Sequence, residues 1–564
     1  MKKSIIPFGL FLLALFFPFA AVSCQSGNVL REKSDPSPRI VNIINFIREL
    51  EPRDERITTE VLYQTVVSQI TLLKQLNLPA TFLLQYDALI DPKYQTLLKE
   101  EQASGFEVGG WWEITQPHVE AAGITWRGRY PWDWHADVGF ATGYNPQERE
   151  KLVDVYMAKF KEIFGKYPAS VGSWFIDAHT LRYMYEKYGL LASCNCKDQV
   201  GTDGYTLWGG YWNQAYYPSK INAYMPAQTE EGQIPVPIFR MLGSDPIYQY
   251  ESGLGGRVQG VESLEPVYPR SGGSRGWVSW FLKTLVEEPA LAFGYTQAGQ
   301  ENSFTWGGMQ KGLEMQFPIL AKLAGEGKIR VETLAASAAW FKENYPVTPA
   351  TAVSATTDPR DAGRKSVWYN SRFFRTNLFW QKDSLVFRDV HIFNENFKSD
   401  YLDKAGSSNQ CVYTTLPLVD GFMWSSSRQR AGLRLMQLNA DGTTTELTGE
   451  NPVVTELLDS KLLVEWPLKQ NFGTLRMLFS EKAIEVSRRG GKRSQKWVLE
   501  LRASSRASLP FTEITDHLIK AVHSQFPFEV DVTPGLVSAA PAGSSDYVFR
   551  IAPEKERILI QTHP

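Results

Sequence analysis

The chain has 564 residues, of which 43 % are apolar and 21 % charged, with a formal net charge of −2. That length exceeds one ordinary domain, and the composition is globular rather than disordered. The near-neutral balance supplies no global field for nucleic acid or an anionic membrane surface, so neither is expected as a partner of the folded part.

The N-terminus carries Lys2 and Lys3, then an apolar run from Ile5 to Val22, then Ala21-Val22-Ser23 before Cys24. Residues 1–24 read as an export signal. The AVSC ending resembles a bacterial lipobox, which implies Cys24 as a lipidated first residue. Membrane contact would then run only through that lipid, at the cell envelope. Residues 25–38 are polar, contain DPSPR and suit a tether.

From residue 39 the pattern becomes regular. RIVNIINFI (39–47) is a strand, and it runs into RELEPRDER, where Arg48, Glu49, Glu51, Arg53 and Asp54 crowd together. Leu62, Val66, Ile70 and Leu73 then recur at helical spacing. LNLPATFLLQY is a second strand, 93–104 a second helix, and Phe106 to Trp112 a third strand apolar enough to be buried on both faces. The alternation continues through helix 146–164, strand SVGSWFI, helix 181–188, strand LLASCN, strand VPIFRMLG, helix 275–286, strand ALAFGYTQAGQEN, helix 308–324, strand KIRVETL and helix 335–344. Such alternation signals parallel β/α units, so 39–346 is expected to be an α/β barrel of seven or eight strands. The aromatic, irregular stretch 197–235 has the length of a functional loop or lid.

Residues 347–363, rich in Pro, Thr and Ala, are expected to be a linker. Residues 364–564 show short alternating strands with turn residues at Asp441-Gly442 and Gly490-Gly491, an antiparallel β-sandwich. Only Thr512 to Ser524 reads as helix there. The sandwich holds 5 of the 17 Trp and is expected to buttress the barrel without carrying chemistry. Cys194 and Cys196 are too close for an unstrained disulfide and too few for zinc. With Cys411 they read as reduced structural thiols.

Functional groups in a barrel of this kind sit where strands end and loops begin. Glu113, Asp177 and Glu301 each follow an apolar strand, and they are the expected catalytic carboxylates. A pair of carboxyl groups serves glycosidic hydrolysis, one giving a proton to the leaving oxygen and the other acting as nucleophile or base. Asp133, Asp137 and Asp203 are further carboxylates in loops. His179 stands two residues after Asp177 and can act as a base or orient the loop. Trp111, Trp112, Trp132, Trp134, Trp208, Trp212 and Trp306 are candidate sugar platforms, with His118, Arg127, Asp133 and His135 beside them. The competing reading of each carboxylate is an ion pair with Arg48, Arg53, Arg127 or Arg129, or a helix cap.

PATFLL, SGFEVGG and VGSWFIDAHTLRYMYEKYGLLAS, in that order, resemble segments of the NodB-type glycoside hydrolase/deacetylase superfamily. The resemblance spans roughly 39–350 and implies an incomplete (β/α)7 barrel. Deacetylases of that superfamily hold a divalent metal on two Asp after the first strand and an H-x-x-x-H pair after the third. Here Asn45 and Glu49 follow the first strand, and Glu113 and His118 the third. No metal or other cofactor is therefore expected. A barrel followed by a sandwich resembles the family 57 and family 38 glycoside hydrolases, whose carboxylate positions fall on Asp177 and Glu301. The expected function is an exported hydrolase cleaving a glycosidic bond in a poly- or oligosaccharide. The alternatives are a polysaccharide deacetylase with altered metal ligands and a non-catalytic glycan-binding lipoprotein.

Overall fold

The computed structural model describes residues 1, 32–33, 36–256, 258–541 and 546–562. The export signal, Cys24 and most of the expected tether lie outside the described residues. Seven parallel strands form the main run of a nine-stranded sheet in the first half: β1 (Arg39–Ile47), β2 (Thr81–Leu84), β3 (Glu107–Trp111), β4 (Ser170–Gly172), β5 (Ala192–Asn195), β6 (Ile238–Arg240) and β7 (Gly294–Ala298). They run side by side in the order β7-β1-β2-β3-β4-β5-β6, each pair parallel. Among the described residues no ladder joins β6 to β7, so the barrel is incomplete, a (β/α)7 arrangement as the sequence implied.

The physical reason is burial on both faces. All nine residues of β1 are buried, which its Ile, Val and Phe content permits. Outside it lies the helix Thr59–Gln75, whose Leu62, Val66, Ile70 and Leu73 face inward and whose N-cap Thr58 accepts from the Val61 N–H. The helix Pro146–Phe164 begins on a capping box of Asn145 and Glu148.

The second half packs a ten-stranded antiparallel sheet against an eight-stranded one, the expected sandwich. Three expectations are corrected. The supposed linker contains the strand Thr351–Ala355, which pairs along Arg364–Asn370 as an edge of the larger sheet. Its Thr/Ala/Val composition hid an ordinary strand. Thr512–Ser524 is not a helix but most of a hairpin, Phe511–Ile514 with Leu518–His523. Ile519 and Ala521 are buried and their neighbours are not, the period-two pattern of a strand. The end of the expected tether is docked: Glu32 bridges Leu457, and Lys33 Nζ reaches the Leu291 carbonyl at 2.6 Å.

The halves interlock. Cys411–Thr414 pairs in parallel with Tyr205–Trp208, so the long insertion after β5 is held by a strand from the second half. Behind it runs a fully buried ionic ladder. Arg240 Nη2 lies 2.6 Å from Asp198 Oδ1, Asp198 Oδ2 accepts from Arg375, and Arg375 holds Asp389 at 2.8 and 2.9 Å. Cys194, Cys196 and Cys411 are buried free thiols.

Asp198 is the one carboxylate shared by two buried guanidinium groups. Asp198→Asn should therefore cost about 3–5 kcal/mol of stability in urea unfolding. A loss under about 1 kcal/mol would mean that the ladder is not needed to hold the halves together.

Candidate active site

The C-terminal ends of β1, β3 and β7 bring three charged side chains to one point. Arg48 follows β1 and is 2 % exposed. Its backbone is clamped to the loop after β7: the Arg48 N–H donates to Asn302 Oδ1 at 2.9 Å, and Asn302 Nδ2 donates to the Arg48 carbonyl at 2.8 Å. Gly299, at φ +95°, lets that loop cross β1 closely, since a Cβ there would stand 2.3 Å from the Ile44 carbonyl oxygen.

The Arg48 guanidinium then divides itself between two carboxylates. Nη2 and Nε donate to Glu113 Oε1 and Oε2 at 2.7 and 3.0 Å, and Nη1 lies 2.9 Å from Glu301 Oε2. The two carboxylates thus flank one cation. Glu113 is saturated: Oε1 also accepts from Trp174 Nε1 at 2.7 Å, and Oε2 from Gln85 Nε2. Glu301 is less completely bound, with Ser303 Oγ donating to Oε1 at 2.7 Å. Burial pushes the Glu301 carboxyl up to about 7, against the pull of Arg48 and with the push of Glu113. Burial opposes the charge on Arg48, but the two glutamates outweigh it and hold the guanidinium protonated above its usual range.

Above this group opens a cavity of about 340 Å3, walled by Trp132, Trp134, Phe140, Trp174, Tyr205 and Tyr268. Arg48 stacks over Trp132 at 4.2 Å from the ring centroid, and Arg53 over the same ring at 5.1 Å. Two further carboxyl groups face the space. Glu265 is buried, accepts from Ser263 Oγ and Gln300 Nε2, and is raised by that burial. Asp203 has its side chain 56 % exposed and stands 3.9 Å from Arg53 Nη1.

Of the three expected carboxylates, Glu113 and Glu301 converge and Asp177 does not. Asp177 caps the helix Ala178–Tyr188 through the Thr180 N–H and pairs with Arg149 at 2.9 Å, outside the cavity lining. Its D-x-x-T spacing is a cap signal in its own right. Glu113 takes the ion pair with Arg48 that competed with the role of an acid. His179 pairs with Glu150 at 3.1 Å, away from the site. His118 is buried, stacked on Tyr86 and bonded to the Leu152 carbonyl, and burial lowers it to about 4. Trp111 stacks on Phe46 inside the barrel, and Trp112 packs among His118 and Tyr156. Arg127 binds the carbonyls of Asp137 and Gly143, and Asp133 pairs with Arg129 while His135 sits beside it. Of the expected platforms Trp132 and Trp134 line the cavity, while Trp212 is buried against Trp368. Trp306 lines an open groove near Ile57 and Val61, and Trp208 a separate cavity. The sequence reading missed Trp174, Glu265 and Tyr268, which come from loops, and Tyr205, which opens the short strand Tyr205–Trp208 inside the long insertion.

The metal of the deacetylases does not fit these residues. Among the described residues no group of three or more His, Cys, Asp or Glu could hold a metal ion. Asn45 accepts from Gln69 and from the Gln300 N–H, Glu113 is spent on Arg48, and His118 faces a carbonyl.

No protein-family model and no curated protein matches the chain. Solved structures do. A protein of Parabacteroides distasonis described as a candidate glycoside hydrolase/deacetylase matches with a TM-score of 0.50 at 15 % identity, over 69 % of this chain and 92 % of that one. A candidate polysaccharide deacetylase of Mycobacterium smegmatis gives 0.35 at 13 %, over 56 % and 94 %. A family 4 acetyl xylan esterase of Clostridium thermocellum, crystallised with cobalt, gives 0.26 at 10 %, over 55 % and 94 %. The first likeness is one of fold: the chain folds like that protein over most of its own length.

Removing the shared cation should leave two buried carboxylates unpaired. Arg48→Met is expected to lose about 3–5 kcal/mol near pH 8. The sign follows from linkage: carboxyl groups whose folded pKa is raised add stability at low pH and lose it as pH rises through that pKa. The deficit of Arg48→Met should therefore shrink on acidification toward pH 5. A deficit that grows on acidification in thermal melts would contradict the ion-pair assignment.

Proposed function

We propose that the chain is an exported, lipid-anchored carbohydrate-active hydrolase that cleaves a glycosidic bond at the barrel mouth. The observation that carries this reading is Glu301, a buried carboxyl raised to about 7 in an aromatic-walled cavity. A carboxyl raised that far remains about half protonated at neutral pH and can give its proton to a leaving oxygen. The proton passes from Glu301 Oε to the glycosidic oxygen as the C–O bond breaks. The carboxylate left behind is met by Arg48, 2.9 Å away, so the charge created is already compensated.

Glu113 has no free lone pair and acts as a positioning residue that fixes Arg48. Asp203, half-exposed on the same cavity, is the carboxylate free to draw a proton from an attacking water. The aromatic walls suit the C–H faces of sugar rings, and the export signal suits a substrate met outside the cytoplasm. A second reading, glycan binding without turnover, draws on the saturation of Glu113, which takes one of the two converging glutamates out of proton transfer.

Purified protein screened against a glycan panel should release reducing ends from at least one substrate. Glu301→Gln should cut kcat by about 10²–10⁴ while leaving the thermal midpoint close to that of the parent. Asp203→Asn should also lower kcat, and the parent rate should fall as pH rises through about 7, where Glu301 loses its proton. Binding without release by the parent would favour the second reading. Unchanged turnover in Glu301→Gln would remove Glu301 from the mechanism.

A further inference from the structure

A second cavity, of about 380 Å3, lies where the insertion after β5 meets the second half. Its inner wall is Trp208, expected from sequence as a sugar platform but outside the lining of Glu301's cavity. Trp208 Nε1 donates to Asp420 Oδ2 at 2.9 Å, and its ring packs on Tyr250 and Phe422 with centroids 5.0 Å away. Trp424 supplies another aromatic surface, and His391, Thr414, Asp420 and His523 supply the polar ones.

These polar groups are fixed by the fold. The Thr415 hydroxyl donates to the Gly209 carbonyl at 2.7 Å, so its oxygen accepts from His391 Nδ1 at 2.9 Å. That leaves His391 Nε2 turned toward Asp420 Oδ2 at 3.4 Å, buried, and without hydrogen-bond geometry to any partner. Gly209 makes this approach possible: it adopts φ +89°, and a Cβ there would stand 2.2 Å from Thr415 Oγ1 and 2.4 Å from His391 Nδ1. Asp389, the end of the buried ionic ladder, backs His391 at 3.7 Å. On the outer side His523 Nε2 meets Thr414 Oγ1 at 3.0 Å.

The chemistry of the wall selects a ligand class. Among the described residues lining the cavity there is no Lys or Arg to hold an anion, and Asp420, His391 and His523 are not placed to share a metal ion. What remains is an apolar wall of Leu509, Pro510 and Val522, backed by the buried Trp208 and Trp424, beside a carboxylate, two imidazoles and short hydroxyl side chains. That set can accept and donate to the hydroxyls of a neutral ring while its apolar members cover the C–H face. We infer that this cavity is a second saccharide-binding site, holding one neutral sugar ring apart from the barrel mouth. The site stands whether or not the barrel cleaves glycosides.

The test uses the full chain and a defined panel: the methyl glycosides of glucose, galactose, mannose and N-acetylglucosamine, read by saturation-transfer NMR and by calorimetry. At least one should bind, and His523→Ala should weaken it at least tenfold. Ser508→Trp, which plugs the exposed rim of the cavity, should abolish it in a protein that still melts like the parent. Glu301→Gln should leave this binding unchanged, which separates the site from the catalytic reading. Binding that survives both rim variants, or binding of none of the four glycosides, would overturn the proposal.

Discussion

One guanidinium sets the geometry of the barrel mouth. Arg48 is buried, its backbone is clamped by Asn302, and its side chain serves Glu113 and Glu301 together. A buried arginine in such a place is tolerable only because each face of the fork meets a carboxylate. The arrangement pulls three strand ends into register, because β1 supplies the cation, β3 one anion and β7 the other. It also splits the roles of the two glutamates. The one gripped by both fork nitrogens, Trp174 and Gln85 is fixed, and the other, with fewer bonds and full burial, is left able to hold a proton.

The rest of the molecule supports this point. The aromatic walls come from irregular loops, and those loops are held by the second half through the strand Cys411–Thr414 and the ladder of Asp198, Arg375 and Asp389. The sandwich is thus more than a buttress against the outside of the barrel. Its strands enter the fabric of the insertion that covers the mouth, and between the two halves it leaves a polar, aromatic cavity of its own.

Much of the barrel was legible in the sequence, because a strand buried on both faces writes itself as an apolar run and helices between such strands repeat every three or four residues. Glu113 and Glu301 were legible because they follow such runs directly. Asp177 follows one too, yet a local bond to the Thr180 N–H claimed it as a helix cap, and position in the chain does not distinguish a cap from a catalytic acid. The choice of Arg48 as the partner of Glu113, across 65 residues, depends on strand order and could not be read from periodicity. The same holds for Trp208, whose partner Asp420 lies 212 residues away. The strand at Thr351–Ala355 and the hairpin after Phe511 were hidden because short edge strands with Thr, Ala and charged residues look like linker or helix until their pairing partners are known.

The central claim is that burial beside Glu113, outweighing the pull of Arg48, keeps Glu301 partly protonated near neutral pH. It is tested most directly by the infrared difference between the parent and Glu301→Gln as a function of pH, read in the carbonyl band of a protonated carboxylic acid. The account predicts a band assigned to Glu301 that disappears with a midpoint near 7. A midpoint near the ordinary glutamate value of about 4.3 would contradict it.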